Sequence, residues 1–371
     1  MRLALIADWL VTYGGAEHVL AEFIKMFPDA PLFTTVARRG AGPFDGADVR
    51  VTRLQKWYRL LGHHQLLLPW MPRAIEDIDL RGYDVVLSSS HAVAKGVIIP
   101  PSCRHVCYCH TPVRYAWEME EDYLRDYRIP DVLRPAARRM LKRLRRWDLA
   151  SAKRVDTYIA NSSATQERIK RIYNRDSTVL PPPVNERFFA ASTSYPFDTL
   201  RAGKLQATSY FLALGRFVPY KRFDLLIEVA NALKLPLAIA GGGQDESRLR
   251  AMAGPTVRFL GYVPDADLPA LYANAEALLF PQIEDAGIVL LEALACGTPC
   301  IALRSGGALD AVQDGENGVF FDTQTQDSIR AAIERFLGMV WDRPAIREGA
   351  RKWSAERFTE RLAKIVLESD K

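Results

Sequence analysis

The 371-residue sequence predicts an α/β protein built as two doubly wound parallel sheets. Three observations predict it. Short apolar runs alternate with amphipathic stretches at intervals suited to strand–helix–strand units. The alternation occurs twice, first up to the proline run Pro181-Pro182-Pro183 and again from Tyr210. An irregular stretch from Ala190 to Gln206 separates the two series, which favours two sheets over one large one.

In the first series Leu3 to Ala7 reads as a buried strand. A polar-glycine turn, DWLVTYGGAEH, then leads into a helix from Ala16 to Met26. Val85 to Ser88, His105 to Cys109 and Thr157 to Ala160 read as further strands. A helix begins near Ser163, and Val179-Leu180 runs into prolines that halt regular structure. In the second series the strand YFLALGR ends at Arg216 and the helix KRFDLLIEVANAL starts at Lys221. PLAIAGG, Val257 to Leu260, ALLFP and PCIAL are the later strands, with helices DESRLRAMA, DLPALYANA and GIVLLEALACG between them. SIRAAIERFLGMV and AERFTERLAKIVLES read as closing helices.

Composition narrows the function classes. The formal charge is +5, from 49 Lys+Arg against 44 Asp+Glu, too small an excess to indicate nucleic acid, and no nucleic-acid-binding motif accompanies it. Five cysteines imply no disulfide framework and fit a reducing compartment. The opening MRLALIADWLV lacks a cleavage pattern and reads as a core strand rather than an export signal. No stretch approaches 18 uncharged apolar residues, so a spanning helix is not expected, while attachment to a membrane surface stays open. Two segments bear on that: RLQKWYRLLGHHQLLLPWMPR, with His63 and His64, and the basic helix from Arg134 to Arg146. Together they read as a face for an anionic bilayer or a lipid phosphate, and equally as a solvated helix and a packing surface.

In doubly wound sheets ligands sit outside the carboxyl ends of the strands. Several distinctive turns fall there. Gly14 and Gly15 let backbone approach a ligand, and the helix behind them favours a phosphate; two glycines also simply permit a tight turn. The chain has neither GxGxxG nor GxxxxGK[ST], which argues against dinucleotide and P-loop chemistry. Arg216 and Lys221 bracket one turn, so a guanidinium and an ammonium converge where a diphosphate leaving group gathers charge without a metal; solvated surface cations are the other reading.

The sharpest local pattern is QIEDAGIVLLEALACG, in which Glu284 lies in a turn and Glu292 in the helix behind it. Gly287 permits close approach, with the amides of Ile288 and Val289 at the helix start. Glu284 suits sugar hydroxyls and Glu292 a ribose diol. An acid–nucleophile pair for hydrolysis, or an acidic cap followed by a solvated Glu, also fits. In CYCHTPVRYAW, His110 is placed to meet a donor sugar or an acceptor, and Arg114 an acceptor phosphate. Cys107, Cys109 and His110 are too closely spaced for the common zinc sites, and no metal site is expected.

Taken together, these residues resemble the GT4 family of retaining glycosyltransferases over nearly the whole chain. YGGAEH, IANSS, LPPPVN, LGRFVPYKRFD, AGGG, GYVPDADLPALYANAEALLFP, EDAGIVLLE and GVFF carry the resemblance, with the Glu-x7-Glu pattern as its mark. The resemblance implies the GT-B architecture of two facing Rossmann-like domains: an acceptor-binding domain over 1–190, a nucleotide-sugar-binding domain over 191–350, and a final helix over 351–371 crossing back to the first. It implies that Arg216 and Lys221 hold the donor diphosphate, Gly14, Gly15 and Gly242 lie near it, and His110 sits by the reaction centre. Glu284, Asp285, Ala286, Gly287, Ile288, Val289 and Glu292 would line the donor, with Tyr262 and Val263 near its base. YCHTPVRYAW and FPQIEDAGIVLLEALACG look similar to bacterial mannosyltransferases of lipid-linked polysaccharides, including WbaZ-like enzymes. That similarity implies GDP-mannose as donor, no metal cofactor, a polyprenyl-diphosphate-linked saccharide as acceptor, and a peripheral place on the cytoplasmic face of a bacterial inner membrane. UDP-hexoses, UDP-N-acetylhexosamines, and a phosphorylase, epimerase or noncatalytic binding protein of the same architecture remain alternatives.

Overall fold

The computed structural model describes residues 1–40, 42–44, 46–118, 120–121, 130–191 and 209–367. Residues 192–208 of the irregular stretch lie outside the described residues. Two compact units emerge: residues 1–183 with the chain from Phe358 onward, and Val184–Arg357.

The first unit carries a seven-stranded sheet among the described residues. Its strands are β1 (Leu3–Ala7), β2 (Leu32–Thr34), β3 (Val49–Val51), β4 (Val85–Ser90), β5 (Arg104–Cys109), β6 (Thr157–Ala160) and β7 (Thr178–Val179), ordered β3-β2-β1-β4-β5-β6-β7. Its strand pairs are all parallel. Period-two alternation sends Leu3, Leu5 and Ala7 to one face and Ala4 and Ile6 to the other, and both faces are buried. Helix Gly15–Met26 covers the first face with Val19 and Phe23; Leu141 and Leu144 of helix Arg134–Ala152 cover the second.

The second unit carries six parallel strands: β8 (Phe211–Leu214), β9 (Leu237–Ala240), β10 (Val257–Gly261), β11 (Leu278–Phe280), β12 (Cys300–Leu303) and β13 (Gly318–Phe321), ordered β10-β9-β8-β11-β12-β13. Helices Phe223–Leu233 and Gln326–Leu337 pack on one face through Leu226, Ile227, Ile329 and Ile333. Helix Ile288–Ala295 packs on the other through Leu290, Leu291 and Leu294.

The unit boundaries differ from the expected 190 and 350. The chain passes into the second unit at Val184, because Val184, Phe188 and Phe189 sit in that unit's core. It leaves after Arg357 rather than at 351, because Trp353 also belongs to that core. From Phe358 the side chains join the first unit: the Phe358 ring lies 6.4 Å from Phe23 and 6.0 Å from Tyr108.

Candidate active site

In the second sheet the strand order reverses between β8 and β11, and the carboxyl ends of strands at such a reversal are where doubly wound sheets receive ligands. The loops leaving β8 and β9 run backbone against backbone: Gly215 N–H donates to Ala240 O (3.0 Å) and Phe217 N–H to Gly242 O (2.9 Å). A Cβ on Gly241 would fall 1.9 Å from Gly215 O, and one on Gly243 2.4 Å from Phe217 O. These two positions require glycine. Gly242, the one picked from the sequence, does not: its Cβ would meet only Glu246 Oε2, at 3.5 Å.

Lys221 does not open a helix as expected. Pro219–Lys221 forms a single 3₁₀ turn, Arg222 takes the left-handed conformation (φ 54°), and the helix starts at Phe223. The turn sends Lys221 back over Gly215, where a Cβ would lie 2.8 Å from its Nζ. Lys221 Nζ then stands 3.0 Å from Glu284 Oε1. Arg216 lies two residues past the end of β8 rather than closing it. It is exposed and makes no side-chain ion pair or hydrogen bond among the described residues.

Glu284 is half-buried in the loop after β11. Gly306 and Gly307, following β12, clamp that loop: Gly307 N–H donates to Glu284 O (2.9 Å), and Cβ atoms there would fall 2.3 Å from Glu284 O and 2.6 Å from the Ala286 backbone. The sequence reading missed this pair, although a Gly-Gly dipeptide after a strand is a usable signal. Asp285 and Ala286 continue the loop, half-buried, to Gly287, whose left-handed conformation (φ 65°) caps helix Ile288–Ala295. Ile288 and Val289 stand in its first turn, where backbone N–H groups point outward along the axis. Tyr262, 80% exposed, and Val263, packed on the core, follow β10; Gly241 N–H reaches Gly261 O (2.8 Å) just before them.

Glu292 is buried and accepts a hydrogen bond from Tyr272 OH (3.0 Å). Burial pushes its carboxyl up to about 7, against the pull of that bond and of the Arg187 charge. Arg187 and Tyr272 were not singled out from sequence, since neither lies near Glu292 in the chain. Gln282, just before Glu284, is also buried, and its Oε1 has no hydrogen-bond partner among the described residues.

In the first unit the order reverses between β1 and β4. His110, after β5, is buried and its Nε2 lies 2.8 Å from Ser89 Oγ. Burial, aided by the nearby His91, pulls it down to about 3, so its imidazole is neutral at working pH. Gly14 caps helix Gly15–Met26, and its N–H already has a partner: Glu17 Oε2 accepts from it at 3.0 Å. Arg114 begins the short helix Arg114–Trp117. Cys107 and Cys109 are buried thiols beside Tyr158 and Tyr173. Asp8, Ser89 and His91 join this edge without having been foreseen.

The basic helix runs further than expected, Arg134–Ala152, and is pinned by an interior ion pair of Asp148 with Lys95. Trp117 Nε1 (2.7 Å) and Tyr173 OH (2.9 Å) also donate to Asp148. Outside, Arg139, Lys142, Arg143 and Arg146 are exposed with no ion pair among the described residues. A cleft of about 1050 Å³ lies against this helix, lined among others by Leu68, Trp70, Arg73, Met140, Arg143 and Trp147. Trp57, Leu60, Leu66 and Trp70 are more than half exposed.

Residues 13–188 match the sequence profile described as Glycosyltransferase Family 4, and residues 201–353 that described as Glycosyl transferases group 1. In fold the chain resembles Anabaena HepE, solved in complex with UDP-glucose, at a TM-score of 0.73 and 18% identity over 99% of this chain and 100% of that one. The chain has the GT-B fold, and each half is similar to one of these two profiles. Among curated proteins it is 32% identical over 197 residues to the GDP-mannose-dependent alpha-(1-6)-phosphatidylinositol monomannoside mannosyltransferase of Mycolicibacterium smegmatis, covering 48% of this chain and 52% of that one. It is also 32% identical over 242 residues to the D-inositol 3-phosphate glycosyltransferase of Salinispora arenicola, covering 57% and 54%. The match spans about half the length of these relatives. This GT-B-fold chain has, among its described residues, no helix long and apolar enough to cross a membrane.

Proposed function

We propose that the protein is a retaining glycosyltransferase that moves a hexose, mannose from GDP-mannose, to a hydroxyl of a polyprenyl-diphosphate-linked saccharide. The observation that carries this reading is the turn chemistry at the carboxyl ends of β8 and β11, where Lys221 meets Glu284 and Arg216 has no ion pair among the described residues. Two cations and the start of helix Ile288–Ala295 suit a diphosphate, and a carboxylate next to them suits the hydroxyls of the sugar it carries.

In this mechanism the bond from the anomeric carbon to the diphosphate oxygen breaks, and its electron pair stays on the phosphate. Arg216 and Lys221 take up that charge. The acceptor oxygen bonds to the same face of the anomeric carbon, and its proton passes to the departing phosphate oxygen. Glu284 holds the sugar, Glu292 the ribose, and the Tyr262–Val263 backbone the base; neutral His110 orients the transferred sugar, and Arg114 meets an acceptor phosphate. No side-chain nucleophile and no metal enters. The mannose donor draws support from the relative whose name specifies GDP-mannose. The exposed aromatic residues of the first unit, with Arg139, Arg143 and Arg146 unpaired among the described residues, favour an anionic membrane surface, on the cytoplasmic face of a bacterial inner membrane.

The test is a donor panel, GDP-mannose first, with a lipid-linked saccharide acceptor. Nucleoside diphosphate release and the anomeric configuration of the product are followed. Acceptor-dependent GDP release with retained configuration is expected. Release that depends on inorganic phosphate, epimerised donor, or tight donor binding without turnover across acceptors would each overturn the reading.

A further inference from the structure

At the strand reversal of the first sheet, Asp8 directly follows β1 and is 2% exposed. Its carboxylate accepts four successive backbone N–H groups from the loop after β4. His91 (2.7 Å) and Ala92 (3.1 Å) donate to Oδ2, and Val93 (2.5 Å) and Ala94 (2.6 Å) to Oδ1. A fifth contact comes from a side chain: His91 Nδ1 lies 2.9 Å from Oδ2. Burial alone would raise this carboxyl, yet His91 and the amide bonds bring it down to about 2, so Asp8 is ionised throughout the working range.

An ionised carboxylate can only accept, which makes His91 Nδ1 the donor in this contact. The ring stands edge-on to Trp9 (4.8 Å) and lies 6.3 Å from His110. Its side chain is 28% exposed, whereas His110 is 8% exposed. The titratable groups around it are Asp8, Glu17, His64 and His110. Four amide bonds would be enough to fix the loop. The fifth fixes a half-exposed imidazole at the place where an open α/β sheet receives a ligand.

We propose that His91 is a second substrate-binding imidazole of the first unit, meeting a hydroxyl of the sugar acceptor through Nε2, and that Asp8 is its positioning residue. Asp8 acts on the substrate only through the ring it orients. The inference rests on the transferase reading for the identity of the ligand, and not for the Asp8–His91 relation itself.

Two measurements test it. With ¹⁵N-labelled imidazoles in the full chain, His91 is expected to carry its proton on Nδ1 when neutral, and Asp8→Asn to erase that preference. An unchanged tautomer in a folded Asp8→Asn variant, judged by its amide spectrum, would overturn the positioning role whatever reaction the protein catalyses. His91→Gln leaves the four amide bonds to Asp8 in place. It is expected to lower kcat/KM for the acceptor about 10–100-fold, with GDP binding unchanged. Acceptor kcat/KM within twofold of wild type would overturn the binding role and reduce Asp8 to a loop cap. Absence of transfer by the wild-type protein with every donor, with the Nδ1 tautomer present, would sink the transferase reading and with it the acceptor assignment, leaving the Asp8–His91 relation standing.

Discussion

Lys221 Nζ is 3.0 Å from Glu284 Oε1, and both side chains are partly open to solvent. The pair closes a ring of turn chemistry: Gly215 leaves room for the ammonium, and Gly306 and Gly307 hold the loop that bears the carboxylate. Two groups assigned to different parts of one donor are therefore paired by charge, while Glu284 Oε1 has no hydrogen-bond partner among the described residues. Under the proposed function a diphosphate would compete with Glu284 for Lys221, and sugar hydroxyls would then replace the ammonium as partners of Glu284. Removing the carboxylate should free Lys221 for phosphate. Glu284→Gln is expected to bind GDP several-fold tighter by calorimetry while losing transfer to GDP-mannose's acceptor by about 10–1000-fold. Weaker GDP binding would contradict the competition.

Arg216 separates transition-state stabilisation from folding. It makes no side-chain ion pair or hydrogen bond among the described residues, so its removal costs none. Arg216→Ala is expected to keep the wild-type melting temperature and lose turnover by about 10–1000-fold, with a smaller change in donor KM. Equal losses in stability and rate would point to a structural guanidinium.

The long elements were legible because their periods are strong. β1, β4, β5 and the helices facing them each show apolar positions enough to set a face. β2 and β3 were missed: each is three residues long, too short to display alternation, and only pairing with β1 makes Leu32–Thr34 a strand. GVFF was noticed as a motif but not as the edge strand β13. Arg216, Lys221, Glu284 and Glu292 were singled out from spacing, and of these Lys221 and Glu284 lie together. Tyr272, Arg187 and the Asp8–His91 pair were not, because each acts on a partner at least 20 residues away in the chain, as Tyr272 does on Glu292. The helix start was misread at Lys221 because a left-handed Arg222 has no sequence signature; glycine is the residue that normally announces that conformation.

Glu292 gives a pH signature with a definite sign. Its folded carboxyl stands near 7, above the ordinary 4.5, because burial disfavours the anion. The protonated form therefore stabilises the fold. That contribution is fully present below about pH 4.5 and is lost as pH rises through about 7. Glu292→Gln keeps a neutral amide there and should flatten the decline in melting temperature over this interval. If Glu292 holds the ribose as proposed, GDP binding calls on the anion and should strengthen through pH 7 in the wild type and stay level in the variant. Parallel pH profiles for both proteins would remove Glu292 from the ribose.

Lys95 and Asp148 form a buried pair that the basic helix depends on. Lys95→Met leaves Asp148 with Trp117 and Tyr173 but without its countercharge. A loss of about 3–5 kcal/mol is expected, the usual result of stranding one buried ion, read from urea unfolding of the first unit. Lys95→Met with Asp148→Asn should recover part of it. GDP binding, placed in the second unit, should survive in folded protein. A loss below about 1 kcal/mol in the single variant would mean that water already reaches the pair.

The outer side of the same helix makes a separate demand. Arg139, Lys142, Arg143 and Arg146 project with no ion pair among the described residues, whereas Arg138 reaches Glu121 (2.6 Å) and Arg145 is bound to Glu120. Two surface arginines are thus neutralised locally, and four neighbouring cations are left for a partner. Close to an anionic bilayer each basic residue contributes about 1 kcal/mol, and the contribution fades within a Debye length. Changing all four to Gln should therefore lower sedimentation with phosphatidylglycerol vesicles by orders of magnitude at low salt and leave GDP binding intact. Raising salt should mimic the substitutions in the wild type. Changing Trp57, Leu60 and Trp70 to Ser tests the apolar share, which salt should not touch. Undiminished sedimentation of the four-fold variant would show that these cations serve solubility, and would detach the membrane from the reading of this face.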